Sequence, residues 1–110
     1  MARRNVIWTR TADIQFVGVL KYWVDKNKSN TYSKKLVKLV SERTNQISEK
    51  PFIYKSPDFK NVRVAILKTF SIYYKVSDDD IIITAIFHIQ IHYLMTITND
   101  YLHMANWQKL

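Results

Sequence analysis

At 110 residues the chain is sized for one domain, large enough to bury roughly two-thirds of its unfolded surface and to fold without staples. It has no cysteine, which excludes a disulfide framework and a thiolate metal site and fits a reducing compartment, and no apolar run approaches the ~18 residues of a membrane span. The net charge is +8, and the excess of Lys and Arg lies entirely before residue 61.

A basic surface of this kind attracts a phosphate backbone or an acidic protein, and both fit. The Met1-Ala2-Arg3-Arg4 start is basic but is not followed by an apolar core and a small-residue cleavage site. A soluble, intracellular protein is expected.

The chain opens with a short strand, Asn5-Val6-Ile7-Trp8-Thr9, after which the apolar period changes from two to about 3.6. A helix is predicted from there, with Thr11 as N-cap and Asp13 in the positive first turn. Ala12, Phe16, Val19, Leu20 and Trp23 form its apolar stripe, and Gly18 inside it is read as tolerated at about 1 kcal/mol relative to Ala. The polar stretch Asp25 to Asn30 reads as a turn. A second helix follows from Tyr32 to Lys50, with Leu36, Val40 and Ile47 facing inward and Lys34, Lys35, Lys38 and Arg43 giving it a basic solvent side. Pro51 stops it.

Pro51 to Lys60 is an irregular connection longer than the usual ~4 to 6 residues, and Lys55, Pro57 and Lys60 mark it as a candidate functional loop. Three β-branched and aromatic runs come next: Asn61 to Ile66, Phe70 to Val76 and Ile81 to Phe87. Short polar connections between them predict an antiparallel meander. Alternation places Phe70, Ile72, Tyr74 and Val76 on one face of the middle strand and Ser71, Tyr73 and Lys75 on the other.

The fold class expected is α+β: an N-terminal strand, an antiparallel helical hairpin, then a three-stranded antiparallel meander, with both helices on one face of a four-stranded sheet and the other face open. Residues 1–90 make the domain, and 91–110 an extension in which Ile91, Leu94, Met95, Thr98 and Leu102 fit a helix while His88 to Thr96 fit a longer strand. Tyr101 and Trp107 point to docking of that extension on the body or on a partner. The single Gly lies within a helix, so a Gly-rich phosphate loop is ruled out and nucleotide-dependent enzymes become a poor fit.

Taken in order, Asn5-Val6-Ile7-Trp8-Thr9 with Ala12, Tyr22-Trp23, Tyr32-Ser33-Lys34-Lys35-Leu36, Ile47-Ser48-Glu49-Lys50-Pro51, Asn61-Val62-Arg63-Val64 and Ile72-Tyr73-Tyr74-Lys75-Val76 resemble the RelE/ParE toxin family over roughly residues 5 to 89. The resemblance implies the toxin half of a type II toxin-antitoxin module: a small cytoplasmic growth inhibitor with a cognate acidic antitoxin. It also implies one of two targets, messenger RNA on the ribosome, cut without a metal, or DNA gyrase, blocked by binding. Similar members follow the last strand with an aromatic, an Asp or His, and an Arg two residues later. Here the stretch reads Phe87-His88-Ile89-Gln90, so Gln90 replaces a phosphate-binding cation, and gyrase inhibition is favoured over nuclease activity.

Metal-free RNA cleavage needs a base, a cation for the phosphate and an acid for the leaving oxygen. Arg63, Lys75 and His88 are the candidates, with Lys55 nearby in sequence. One of the two sheet registers would bring Arg63 and His88 to the open face beside Tyr73 and Lys75. For binding, whether of target or antitoxin, the candidates are Arg63, Tyr73, Lys75, Lys55 and Lys60. His88 and His92 are four apart, but with only His103 and Asp100 near in sequence they fall short of a zinc ligand set, so no metal and no cofactor is expected.

Overall fold

The computed structural model describes residues 3–54, 61–67 and 69–88. Strand β1 (Asn5–Trp8) leads into helices α1 (Arg10–Asn27) and α2 (Thr31–Glu49), and strands β2 (Val62–Leu67), β3 (Phe70–Val76) and β4 (Asp80–His88) complete the order. The α+β architecture is the one expected. In the sheet the strands lie in the order β1-β4-β3-β2. The meander is antiparallel throughout, whereas β1 pairs parallel to β4, Asn5 opposite Asp80 and Trp8 opposite Ile83.

Helix α1 starts two residues earlier than predicted, and its N-cap is Thr9 rather than Thr11. Thr9 is extended, its Oγ1 accepts from the Ala12 N–H at 3.2 Å, and the same hydroxyl donates to the Ile83 carbonyl at 3.0 Å. A hydroxyl that caps the helix and ties it to the central strand leaves Thr11 exposed in the first turn. The predicted turn at Asp25 also begins later, because α1 runs to Asn27 and closes on Lys28 in the left-handed region at φ 52°.

The helices bury their stripes on one face of the sheet. Ala12, Val19, Trp23, Leu36, Val40 and Ile47 meet Ala65, Leu67, Phe70, Ile72, Tyr74, Ile81, Ile83 and Ile86 in one core. Each large side chain of this set contributes roughly 1.5–3 kcal/mol by leaving water. Gly18 is itself buried.

A bulge sets what β4 shows to each side. Tyr73 pairs with Ala85 and Tyr74 with Ile83, so Thr84 is the extra residue, and its Oγ1 donates to the Tyr73 carbonyl at 3.2 Å. Strand alternation would otherwise place Ile83 and Ile86 on opposite faces; the inserted residue shifts the parity, and Ile81, Ile83, Ile86 and His88 are all buried. β4 also outruns β1, and Gln15 Oε1 of α1 accepts from the Ile86 N–H at 3.0 Å past the end of that pairing.

Among the described residues the second sheet face is uncovered. Ile7, Val64, Ile66, Tyr73, Lys75, Ile82 and Phe87 share it by register, and Ile66 is 68% exposed. Tyr73 and Phe87 meet edge to face there at 5.8 Å. No described helix is long and apolar enough to cross a membrane.

Candidate functional site

The three residues expected to serve chemistry fall into three different surroundings. Lys75 pairs with Val62 and Ile82 and is exposed on the open face, as alternation predicts. Arg63 pairs with Tyr74 and His88 with Phe70, and both partners point at the helices. The register is therefore the other of the two allowed, and Arg63 and His88 stand on the helix-covered face, away from Tyr73 and Lys75. His88 and Lys75 are further separated along β3 by five positions, about 17 Å at ~3.3 Å per residue.

His88 is a core residue. It is 2% exposed, enclosed by Trp23 at 5.4 Å and Phe70 at 4.9 Å between ring centroids, and neither imidazole nitrogen has a hydrogen-bond partner. Burial alone lowers its pKa to about 4, so it is neutral at pH 7.

Arg63 belongs to a different end of the sheet, where four chain segments meet. Tyr74, buried on β3, donates from its hydroxyl to the Pro51 carbonyl at 2.8 Å, and burial, opposed by the nearby Arg63 guanidinium, raises its pKa to about 12. It therefore remains a donor. Arg63 Nη1 donates to the Tyr54 carbonyl at 2.6 Å, and Arg43 from α2 donates to the Tyr54 hydroxyl. The Ile53 N–H closes back on the Lys50 carbonyl at 3.2 Å. These bonds fasten residues 51–54 to helix and sheet.

At the tip of that fastened segment stand Phe52, 60% exposed, and Ile53, 51% exposed. The Arg63 guanidinium carbon lies 4.8 Å from the Phe52 ring centroid, and that of Arg4 lies 5.7 Å from it. Arg4 is itself held by a bond from Nε to the Ser77 carbonyl at 2.9 Å. Arg4, Arg43 and Arg63 thus spend donors on carbonyls and a hydroxyl; among the described residues the one ion pair joins Arg3 to Glu49. Among the described residues these three guanidiniums have no carboxylate partner, which makes the described part of this end electropositive.

Arg63 was legible in the sequence as a functional candidate, but Arg4, Arg43, Phe52 and Ile53 were not. Loop residues carry no periodicity, and the only signal was an apolar run, Phe52-Ile53-Tyr54, directly after a helix-stopping proline. Lys55, Lys60, Gln90, His92, Asp100 and His103 lie outside the described residues, as does the extension 91–110. A shallow cleft of about 470 Å³ between α1, α2 and the end of β1 is lined by Trp8, Phe16, Val37 and Val40, with Asp13 as its one titratable group. It gathers no acid-base pair.

A family model described as the ParE toxin of the type II toxin-antitoxin system, parDE, matches residues 6–93. Among solved structures, the fold is similar to a chain of the chromosomal ParDE TA system from P. aeruginosa, with TM-score 0.67 and 19% identity over 79% of this chain and 97% of that one. It is also similar to a chain of the toxin-antitoxin complex RelBE2 from Mycobacterium tuberculosis, with TM-score 0.59 and 16% identity over 79% of this chain and 99% of that one. No curated protein sequence matches.

Proposed function

Because the chain belongs to the ParE toxin family of type II toxin-antitoxin systems, we propose that it arrests growth in the cytoplasm by binding DNA gyrase, and that an acidic antitoxin neutralises it. The observation that carries the choice of a binding inhibitor over a messenger RNA nuclease is the separation of Lys75, Arg63 and His88. General acid-base cleavage needs its groups within hydrogen-bond reach of one phosphodiester. Lys75 is on the open face, whereas Arg63 and His88 are on the helix-covered face four positions apart along β3, and His88 is 2% exposed among aromatic rings. Gln90 in place of the expected Arg supports the same reading.

A binding inhibitor uses surface instead of a reaction centre. The open sheet face and the electropositive end around Phe52 both offer exposed apolar side chains beside cations, the residue types that anchor protein interfaces. The net charge of +8 suits an acidic partner that is disordered alone and ordered on contact.

Expression without an antitoxin is expected to stop growth, and purified protein is expected to inhibit supercoiling by gyrase while translated messages stay intact by primer extension. Message cleavage at the ribosome with supercoiling unaffected would replace gyrase by the RelE-like activity. Normal growth at full expression would leave a toxin-like fold that only pairs with its antitoxin.

A further inference from the structure

The end of the sheet around Phe52 is built for presentation: Tyr74 belongs to the core and Tyr54 packs against it, while Phe52 and Ile53 lie outside it. Pro51 is buried and fastened by Tyr74, and Tyr54 is fastened at its carbonyl by Arg63 and at its hydroxyl by Arg43. Between these two anchored residues Phe52 and Ile53 project into water. An apolar tip on a rigid base loses little conformational entropy when it is covered, which is how interface hot spots gain their effect.

The cations around the tip are equally ordered. A guanidinium has five N–H donors; among the described residues the hydrogen bonds of Arg4, Arg43 and Arg63 each use a carbonyl or hydroxyl acceptor, leaving forked donors available to a carboxylate. The contrast is with Lys34, Lys35 and Lys38 of α2, which are exposed and have no aromatic contact among the described residues. Lys26 also lies over rings, those of Tyr22 and Trp23, but Trp23 is buried, whereas Phe52, contacted by two guanidiniums, is 60% exposed.

We infer that the Phe52–Ile53 tip, with its collar of Arg4, Arg43 and Arg63, is the docking site for an acidic protein segment that covers the tip with an apolar residue and sets carboxylates on the arginines. This deepens the reading of the chain as a toxin neutralised by an acidic antitoxin, and rests on it for the partner's origin. A single-stranded nucleic acid is the less fitting occupant, since base stacking uses the faces of an aromatic ring and Phe52 is already engaged by two guanidiniums. Two adjacent exposed apolar side chains also suit a protein pocket better than a sugar-phosphate chain.

The test is fluorescence anisotropy with the purified full chain and two labelled probes, a random copolymer of Glu and Tyr and single-stranded oligo(dT). The copolymer is expected to bind, and Phe52→Ala, which removes no charge, is expected to weaken it roughly tenfold, as loss of a hot-spot side chain does. Ile53→Ala provides a second variant at an exposed position, and circular dichroism checks that both remain folded. A triple Lys34→Ala, Lys35→Ala, Lys38→Ala variant is expected to cost less than Phe52→Ala despite removing three charges. Copolymer binding that ignores Phe52 and Ile53 but falls with the lysines overturns the site in favour of diffuse attraction. Failure of the copolymer to bind, or tighter binding of oligo(dT) through Phe52, overturns it as well. Growth arrest is scored separately: absent arrest with Phe52-dependent copolymer binding sinks the toxin reading and leaves the surface standing.

Discussion

The helix-covered face of the sheet holds two buried polar residues that are treated in opposite ways. At one end Tyr74 has its hydroxyl satisfied by the Pro51 carbonyl, with three arginines close by. At the other, His88 of β4 sits opposite Phe70 with neither nitrogen paired, and Trp23 Nε1 above it is unpaired too. One end is a polar fastening with guanidiniums beside it; the other is an aromatic enclosure whose burial keeps the imidazole neutral. The difference assigns them different work. A fastening positions a surface for a partner, whereas an unpaired imidazole among rings contributes shape and leaves the fold sensitive to acid.

The largest expected effect tests the enclosure. The folded pKa of His88, about 4, lies below the ordinary 6.5, so between those values the unfolded chain binds a proton that the folded chain refuses. The stability associated with neutral His88 is fully present above pH 6.5 and is lost as pH falls toward 4, by about 3 kcal/mol from the size of the shift. Urea unfolding across that range is expected to show the loss, and His88→Leu to flatten it, the difference between the two profiles separating His88 from carboxylates that titrate nearby. Parallel profiles would mean that the enclosure accepts the imidazolium, and the contrast between the two ends would vanish.

Next in size is the fastening. Tyr74→Phe keeps the ring in the core but leaves the buried Pro51 carbonyl without its donor, a cost of about 1–2 kcal/mol for an unmet buried acceptor. Urea midpoints at pH 7 measure it. Because the same bond anchors residues 51–54, limited proteolysis is expected to cut that segment faster in the variant while the helices keep their protection. A variant as stable and as resistant as the parent would show that the other bonds hold the segment by themselves.

The elements of this fold were legible because each has its own period: Ala12, Phe16, Val19 and Trp23 could only line a helix, and Phe70, Ile72 and Tyr74 only a strand face. The site was less legible. Ile81 to Phe87 is nearly all apolar, so no alternation marks Thr84 as the bulge, and without that bulge the side taken by His88 is unreadable. Arg63 has the same difficulty, since a shift of one position exchanges the faces of the sheet. That β1 joins parallel to β4 is a tertiary choice that no local stretch encodes. Thr9 and Thr11 are equally good caps by residue type, and the Ile83 carbonyl, out of reach of any sequence argument, decides between them.

The smallest expected effect is also the one that most sharpens the contrast. Phe52 lies beside the fastening but is mostly exposed, and its contacts are with cations that have acceptors of their own. Exposed cation-ring contacts are worth about 0.5–1 kcal/mol, partly offset by the freedom the arginines regain, so Phe52→Ala is expected to shift unfolding by no more than about 0.5 kcal/mol. Equilibrium unfolding beside Tyr74→Phe makes the comparison direct. If Phe52→Ala cost as much as the loss of the tyrosine hydroxyl, the ring would be part of what holds the segment down and its exposure would have a structural cause. If it costs almost nothing while binding of an acidic chain falls about tenfold, stability is carried by the bond from Tyr74 to Pro51 and recognition by the Phe52 ring beside it.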